Sequence, residues 1–124
     1  MISLILVMLA AICNAVIDVV SFHYAKSVFS KLNRQWWDPY VSWKNKYVNW
    51  DGGKRTEKTI WGIKYPTALT DAWHFFKSTM LTLVILAIVL YKPFINPFID
   101  FVVIGIGWNV AFNLFYNRIF RLKN

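Results

Sequence analysis

Thr70-Asp71-Ala72-Trp73-His74-Phe75-Phe76-Lys77 stands just ahead of the apolar run Met80 to Tyr91, and the way the two join decides the fold. The run is only 12 residues long, whereas crossing the roughly 30 Å hydrocarbon layer takes about 20 residues at a rise of about 1.5 Å each. A span ending at Tyr91 must therefore draw its first turns from the polar segment. Asp71 and His74 then fall at or just inside one membrane face. Ionisable groups are costly to keep there, which makes them a candidate site.

Composition extends the same reading to the whole chain. Of 124 residues, 57% are hydrophobic and 19% aromatic, and the mean hydropathy is +0.41, values of the membrane class rather than of a soluble domain. One integral membrane domain over residues 1–124 is expected at this length. Three short helices enclose little interior, so other copies of the chain, or a larger membrane complex, are expected to cover part of their surface. The single Cys13 lies in an apolar stretch, where it forms no intrachain disulfide and serves as a small filler.

Upstream, Ile2 to Val20 is a continuous apolar run carrying Asn14 and Asp18 near its far end, and a first span over about residues 2–22 is expected. No positive n-region precedes it and no good small-residue cleavage site lies near Cys13, so an uncleaved anchor is favoured over a signal peptide. The second span covers about 69–91, with Thr67 or Thr70 as its cap. Lys92-Pro93-Phe94-Ile95-Asn96-Pro97 is a short connection, so the next helix turns straight back. Asn96 and Pro97 form a cap-then-proline start, and Asp100 sits in the first turn, where the helix dipole favours a carboxylate. A third span over about 97–117 follows, with Gly105, Gly107 and Ala111 allowing close helix approach.

Between the first two spans, residues 24–67 hold 9 of the 14 Lys and Arg and five of the seven Trp. Basic and aromatic residues together belong at headgroup level, where rings anchor and Lys stems snorkel. Asp38-Pro39 is a second cap-then-proline signature. Trp36, Tyr40, Trp43, Tyr47 and Trp50 recur at spacings of 4, 3, 4 and 3, an anchoring stripe that predicts an amphipathic interfacial helix over about 39–50, stopped by Gly52-Gly53. A polar loop with turn signals at both ends fills 51–66.

Net charge is +8, yet its distribution suits a membrane better than nucleic acid. Thirteen of the 14 basic residues fall on the side of the long loop and C-terminus, and only Lys92 on the other. The positive-inside rule therefore places loop and C-terminus in the cytosol and the N-terminus outside. An aromatic stripe of this kind anchors at an interface rather than stacking bases, and no nucleic-acid partner is expected. The fold expected is an all-α membrane protein with three spans and one interfacial helix.

Depth and face then define a polar constellation. With the cytosolic boundary near residues 20, 72 and 117, Asp18 and Asn113 lie on the order of 5 Å inside, and Asn14 and Asn109 on the order of 10 Å. Asn14 and Asp18 share one side of their helix, as do Asp71 and His74, and Asn109, Asn113 and Asn117. Lipid cannot satisfy such groups, so all three faces are expected to turn inward toward each other, with His23 joining from above. Asp18, Asp71, His74 and His23 are the candidate ligands, with Asn14, Asn109 and Asn113 orienting them.

Three chemistries fit. Asp-x-x-His on a helix, with Asp18 as a third ligand, presents O and N donors to a divalent metal. The same pair can move a proton, since imidazole titrates near neutrality. Lys44, Lys46, Lys77 and the basic loop can hold anionic lipid headgroups. Each has a plainer counterpart: amides and carboxylates as interhelical glue, Asp71 as dipole compensation, and Lys77 as a snorkelling side chain. No reaction is legible, and no residue is assigned a catalytic role.

Ser42-Trp43-Lys44-Asn45-Lys46-Tyr47 and Thr70-Asp71-Ala72-Trp73-His74 resemble segments of short, functionally uncharacterised integral membrane proteins of Bacteroidetes-type bacteria and their phages. The resemblance implies no activity and transfers no functional residue. It implies a bacterial inner membrane or a phage-associated one. The expected function is thus a small, oligomeric polytopic membrane protein with a polar ligand or metal site between the cytosolic ends of its helices. Its rivals are a holin-like pore former, which the topology resembles, and a structural membrane protein of a virion or larger complex.

Overall fold

A computed structural model describes residues 1–51 and 54–123. It is mostly helical, and three of its helices are long and apolar enough to cross a membrane. Helix α1 spans Ile2–His23, α4 spans Ala72–Val89 and α5 spans Pro97–Leu114. Between α1 and α4 lie two single-turn helices, α2 (Arg34–Trp37) and α3 (Pro39–Ser42), and four short strands: β1 (Tyr47–Asp51), β2 (Lys54–Glu57), β3 (Thr59–Ile60) and β4 (Ile63–Lys64).

Helix α1 is the hub. Its apolar window is 44% buried, against 17% for α4 and 11% for α5. One core gathers Ala10, Cys13 and Ile17 of α1 with Met80, under Trp73, Phe76, Leu83, Val84 and Trp108. Small residues let the helices approach. Gly107 and Ala111 of α5 face α1, and a Cβ built on Gly107 would come 2.6 Å from Leu4 Cδ1. At one end of the bundle Ser3 Oγ donates to the Ala87 carbonyl at 2.9 Å. At the other, Leu122 N donates to the Lys26 carbonyl at 2.8 Å and Ser27 bridges Arg121, so the long connection and the C-terminal segment lie together.

Aromatic packing closes that second end. Val16, Val19 and Val20 meet Phe29, whose ring stacks on Trp37 at 4.6 Å and touches Phe120 at 5.0 Å. Trp37 in turn lies 5.8 Å from Phe76, tying the long connection to α4. Stacked and tilted rings at these separations add about 0.5–1.5 kcal/mol per pair beyond the area they bury.

Both cap-then-proline starts form as read. Asp38 Oδ1 accepts from Tyr40 N at 3.0 Å, and Asn96 Oδ1 from Ile99 N at 2.9 Å. Asp100 does more than compensate a dipole. Fully buried, it accepts from Tyr91 Oη at 3.0 Å, Phe94 N at 2.9 Å and Ile95 N at 3.1 Å, and so folds the α4–α5 connection around itself. The cap of α4 is Asp71 rather than Thr67 or Thr70, its Oδ1 accepting from His74 N at 2.9 Å.

The interfacial helix over 39–50 is shorter than expected. Helical backbone runs from Pro39 through a 3₁₀ turn at Trp43–Lys46, and from Tyr47 the chain is extended and pairs with β2, Asp51 opposite Lys54. The chain is therefore not all-α. Tyr47-Val48-Asn49-Trp50 suits a pleat as well as a helix, and two glycines before a basic strand favour a hairpin. The Gly52-Gly53 stop lies outside the described residues. A second hairpin, β3–β4, turns at Trp61 (φ 50°) and Gly62 (φ 79°), the pair of positive φ values that tight two-residue hairpins need.

Candidate functional site

The site starts from Asp71, which caps α4 and is only 3% exposed. Thr70 Oγ1 lies 3.0 Å from its Oδ2 and shares its one proton with the Thr67 carbonyl at 2.8 Å, and His74 Nδ1 lies 2.7 Å from the same Asp71 oxygen. A carboxylate accepts only, so the proton of this contact belongs to Nδ1. Nε2 is left as the ring nitrogen able to meet a ligand, a tautomer choice of the kind carboxylate partners impose on functional histidines. One turn of helix places both groups, because residues three apart share a face.

His74 is one-third exposed and opens on a cavity of about 380 Å³ lined by Ser21, Tyr40, Ser42, Trp43, Asp71 and Trp73. Ser21 lies in the last turn of α1: its hydroxyl donates to the Ile17 carbonyl at 2.7 Å and accepts from Trp73 Nε1 at 3.1 Å. Asn45, outside this cavity, braces the turn that follows Trp43. Its Nδ2 donates to the carbonyls of Gln35 at 2.7 Å and Thr70 at 2.8 Å, fastening the 3₁₀ turn to the start of α4.

Ser21 and Tyr40 also line a second, larger recess of about 730 Å³ containing His23, Lys26, Ser30, Arg34 and Asp38. Arg34 Nε donates to Asp38 Oδ2 at 2.8 Å. That hydrogen bond and the carboxylate charge hold the guanidinium above its already high range. Among the described residues Asp38 is the only acid lining the recess, and it is committed to Arg34 and to the cap of α3. With Lys26 and Arg34 against one acid, the lining of the recess carries a net positive charge.

The expected constellation assembles only in part. Asp71 and His74 are brought together. Asp18 is half-buried on α1 and makes no hydrogen bond among the described residues; Lys77 of α4 is the cation acting on it. Asn14, also half-buried, makes no bond to the pair. His23 lies in the cationic recess, edge-on to Tyr116 at 5.8 Å. Among the described residues no group of three His, Cys, Asp or Glu side chains is placed to hold a metal.

Asn109, Asn113 and Asn117 do not turn inward. All three are exposed, and each folds its amide back along α5: Asn109 Nδ2 to the Gly105 carbonyl at 2.9 Å, Asn113 Nδ2 to the Asn109 carbonyl at 2.9 Å, and Asn117 Nδ2 to Asn113 Oδ1 at 3.2 Å. Gly107 and Ala111, on the opposite side of the helix, take the contact with α1. Asn109 and Asn113 thus do not orient His74.

Among the anchors, Trp36 packs on Trp37 at 5.2 Å and Phe75 at 5.8 Å, while Tyr40 is exposed. Trp43 and Tyr47 meet edge-on at 6.4 Å, with Lys44 over the first ring at 5.5 Å and Lys46 over the second at 5.4 Å. The side chain of Trp50 is outside the described set. Sequence reasoning missed Ser21, Lys26, Arg34 and Asn45 as site builders. Arg34 carried a usable signal, since it stands four residues before the buried cap Asp38.

No family model, curated protein or solved structure matches the chain.

Proposed function

We propose that this is a small polytopic membrane protein that binds the phosphate-bearing headgroup of an anionic lipid at the cytosolic ends of its helices. The supporting observation is the Asp71–His74 pair: a buried carboxylate fixes the imidazole by a 2.7 Å hydrogen bond where it opens on a cavity. Because that cavity shares Ser21 and Tyr40 with the recess of Lys26, Arg34 and His23, one ligand can reach both. Guanidinium and ammonium donors suit a phosphate, and basic pockets at the cytosolic boundary are the usual place for one. Long loop and C-terminus face the cytosol in this reading, the N-terminus faces outside, and the membrane is a bacterial inner or phage-associated one.

Metal binding is the weaker form of the idea. Asp18 does not join the Asp71–His74 pair, and among the described residues no third ligating side chain converges on it. The test uses protein in nanodiscs of phosphatidylcholine containing a minority of phosphatidylglycerol or phosphatidic acid, read by native mass spectrometry of retained lipid. Wild type retains the anionic lipid, and His74→Ala with Arg34→Gln lowers retention at least tenfold while insertion is unchanged. Equal retention by the variant would refute the site.

A further inference from the structure

Helix α5 presents two unlike faces. Gly107 and Ala111 fit it against α1, and a half-turn away Gly105, Asn109 and Asn113 form a line with one helical turn between members. The amides of that line are exposed. A Cβ built on Gly105 would meet nothing within 4 Å, so this glycine, unlike Gly107, is not explained by packing inside the chain. Val102 and Ile106 border the line and are exposed as well.

The back-bonds along α5 satisfy the amides only in part. Asn109 spends one N–H on the Gly105 carbonyl and keeps its second N–H and its oxygen, while Asn113 keeps one N–H and part of its oxygen's capacity. Acyl chains offer these groups nothing, so a helix carrying them at membrane depth is completed by another helix.

We propose that the completing helix is α5 of a second copy, the two related by a two-fold axis along the membrane normal. Copies inserted in the same sense hold each residue at the same height, so Asn109 meets Asn109 and Asn113 meets Asn113. An amide is donor and acceptor at once, which makes it complementary to itself. No charged residue occurs from Phe101 to Asn117, so nothing on this face repels its copy. Gly105 supplies the closeness that lets short amide side chains reach across. This interface rests on the membrane reading of the three helices and is independent of the lipid-headgroup site.

The test uses the full chain in vesicles. Wild type labelled with donor and acceptor dyes shows energy transfer that falls on dilution with lipid. The double variant Asn109→Leu, Asn113→Leu needs at least tenfold more protein per lipid for the same transfer. In a Cys13→Ser background, Val102→Cys forms a disulfide-linked dimer on oxidation and Ile85→Cys on α4 does not. An inserted monomer, an unaffected double variant, or cross-linking through Ile85→Cys overturns the interface. Resistance to carbonate extraction is measured in parallel: wild type that washes off the vesicles overturns the membrane reading and the interface together, whereas an inserted monomer overturns the interface alone.

Discussion

His74 Nδ1 lies 2.7 Å from Asp71 Oδ2, and the other oxygen of the same carboxylate caps α4 through the His74 backbone N–H. One acid therefore serves the start of the helix and the orientation of its imidazole, and substitutions at the two residues separate these duties. Asp71→Ala removes a cap worth about 1 kcal/mol. It also strips the acceptor from the His74 ring, while the Thr70 hydroxyl keeps the Thr67 carbonyl at 2.8 Å, for a total loss of about 2–3 kcal/mol. His74→Ala leaves the carboxylate with its backbone and Thr70 donors, and the loss is below about 1 kcal/mol. Unfolding in detergent followed by circular dichroism measures both; equal losses would make His74 a structural residue and remove the reason to place a ligand beside it.

At the opposite end of the bundle the connection between α4 and α5 hangs on Asp100. Asp100→Ala leaves two backbone N–H groups and the Tyr91 hydroxyl without their acceptor, so it lowers the thermal midpoint more than Tyr91→Phe, which removes one donor.

Tyr91 also gives this connection a pH signature. Burial, followed by the Asp100 hydrogen bond and charge, raises the Tyr91 pKa above its ordinary value. The folded state thus favours the protonated phenol. Its contribution to stability is complete below the unfolded pKa of about 10 and is lost as pH rises through the higher folded value. Between pH 7 and 11 the wild-type midpoint should fall toward that of Tyr91→Phe only at the alkaline end; a gap closing near pH 8 would contradict the bond.

Much of this architecture was legible because its signals are local. The apolar runs, the Asp38-Pro39 and Asn96-Pro97 starts and the borrowing of α4's first turns from the polar segment each depend on a few neighbouring residues. What failed to read were choices between signals of equal local strength. On α5 the spacing of the amides at 109 and 113 predicts an inward face, yet Gly107 lies on the opposite side of the helix, and its close packing against Leu4 and Met8 decides the orientation. From Tyr47 to Trp50 a stripe of helical spacing coincided with a strand pattern, and pairing with Lys54 to Glu57 is a partner no local window contains. The cationic recess was hidden for the same reason, since it joins the end of α1 to α2 and α3 across a turn.

Metal content distinguishes the headgroup reading from its nearest relative. Among the described residues no three His, Cys, Asp or Glu side chains converge, and Asp18 stands apart from the Asp71–His74 pair, so protein purified without chelator should carry well below one equivalent of any divalent metal. A full equivalent that disappears in His74→Ala would replace the lipid phosphate with a metal.

Everything in the site depends on residues 24–71 and 115–123 sharing one membrane face while the α4–α5 connection occupies the other. Cysteine labelling in intact cells measures this most directly. In a Cys13→Ser background, Lys92→Cys should react with an impermeant maleimide from outside, and Lys31→Cys and Lys123→Cys only after the cells are opened. Labelling of all three from outside, or of Lys31→Cys and Lys123→Cys alone, would contradict the account.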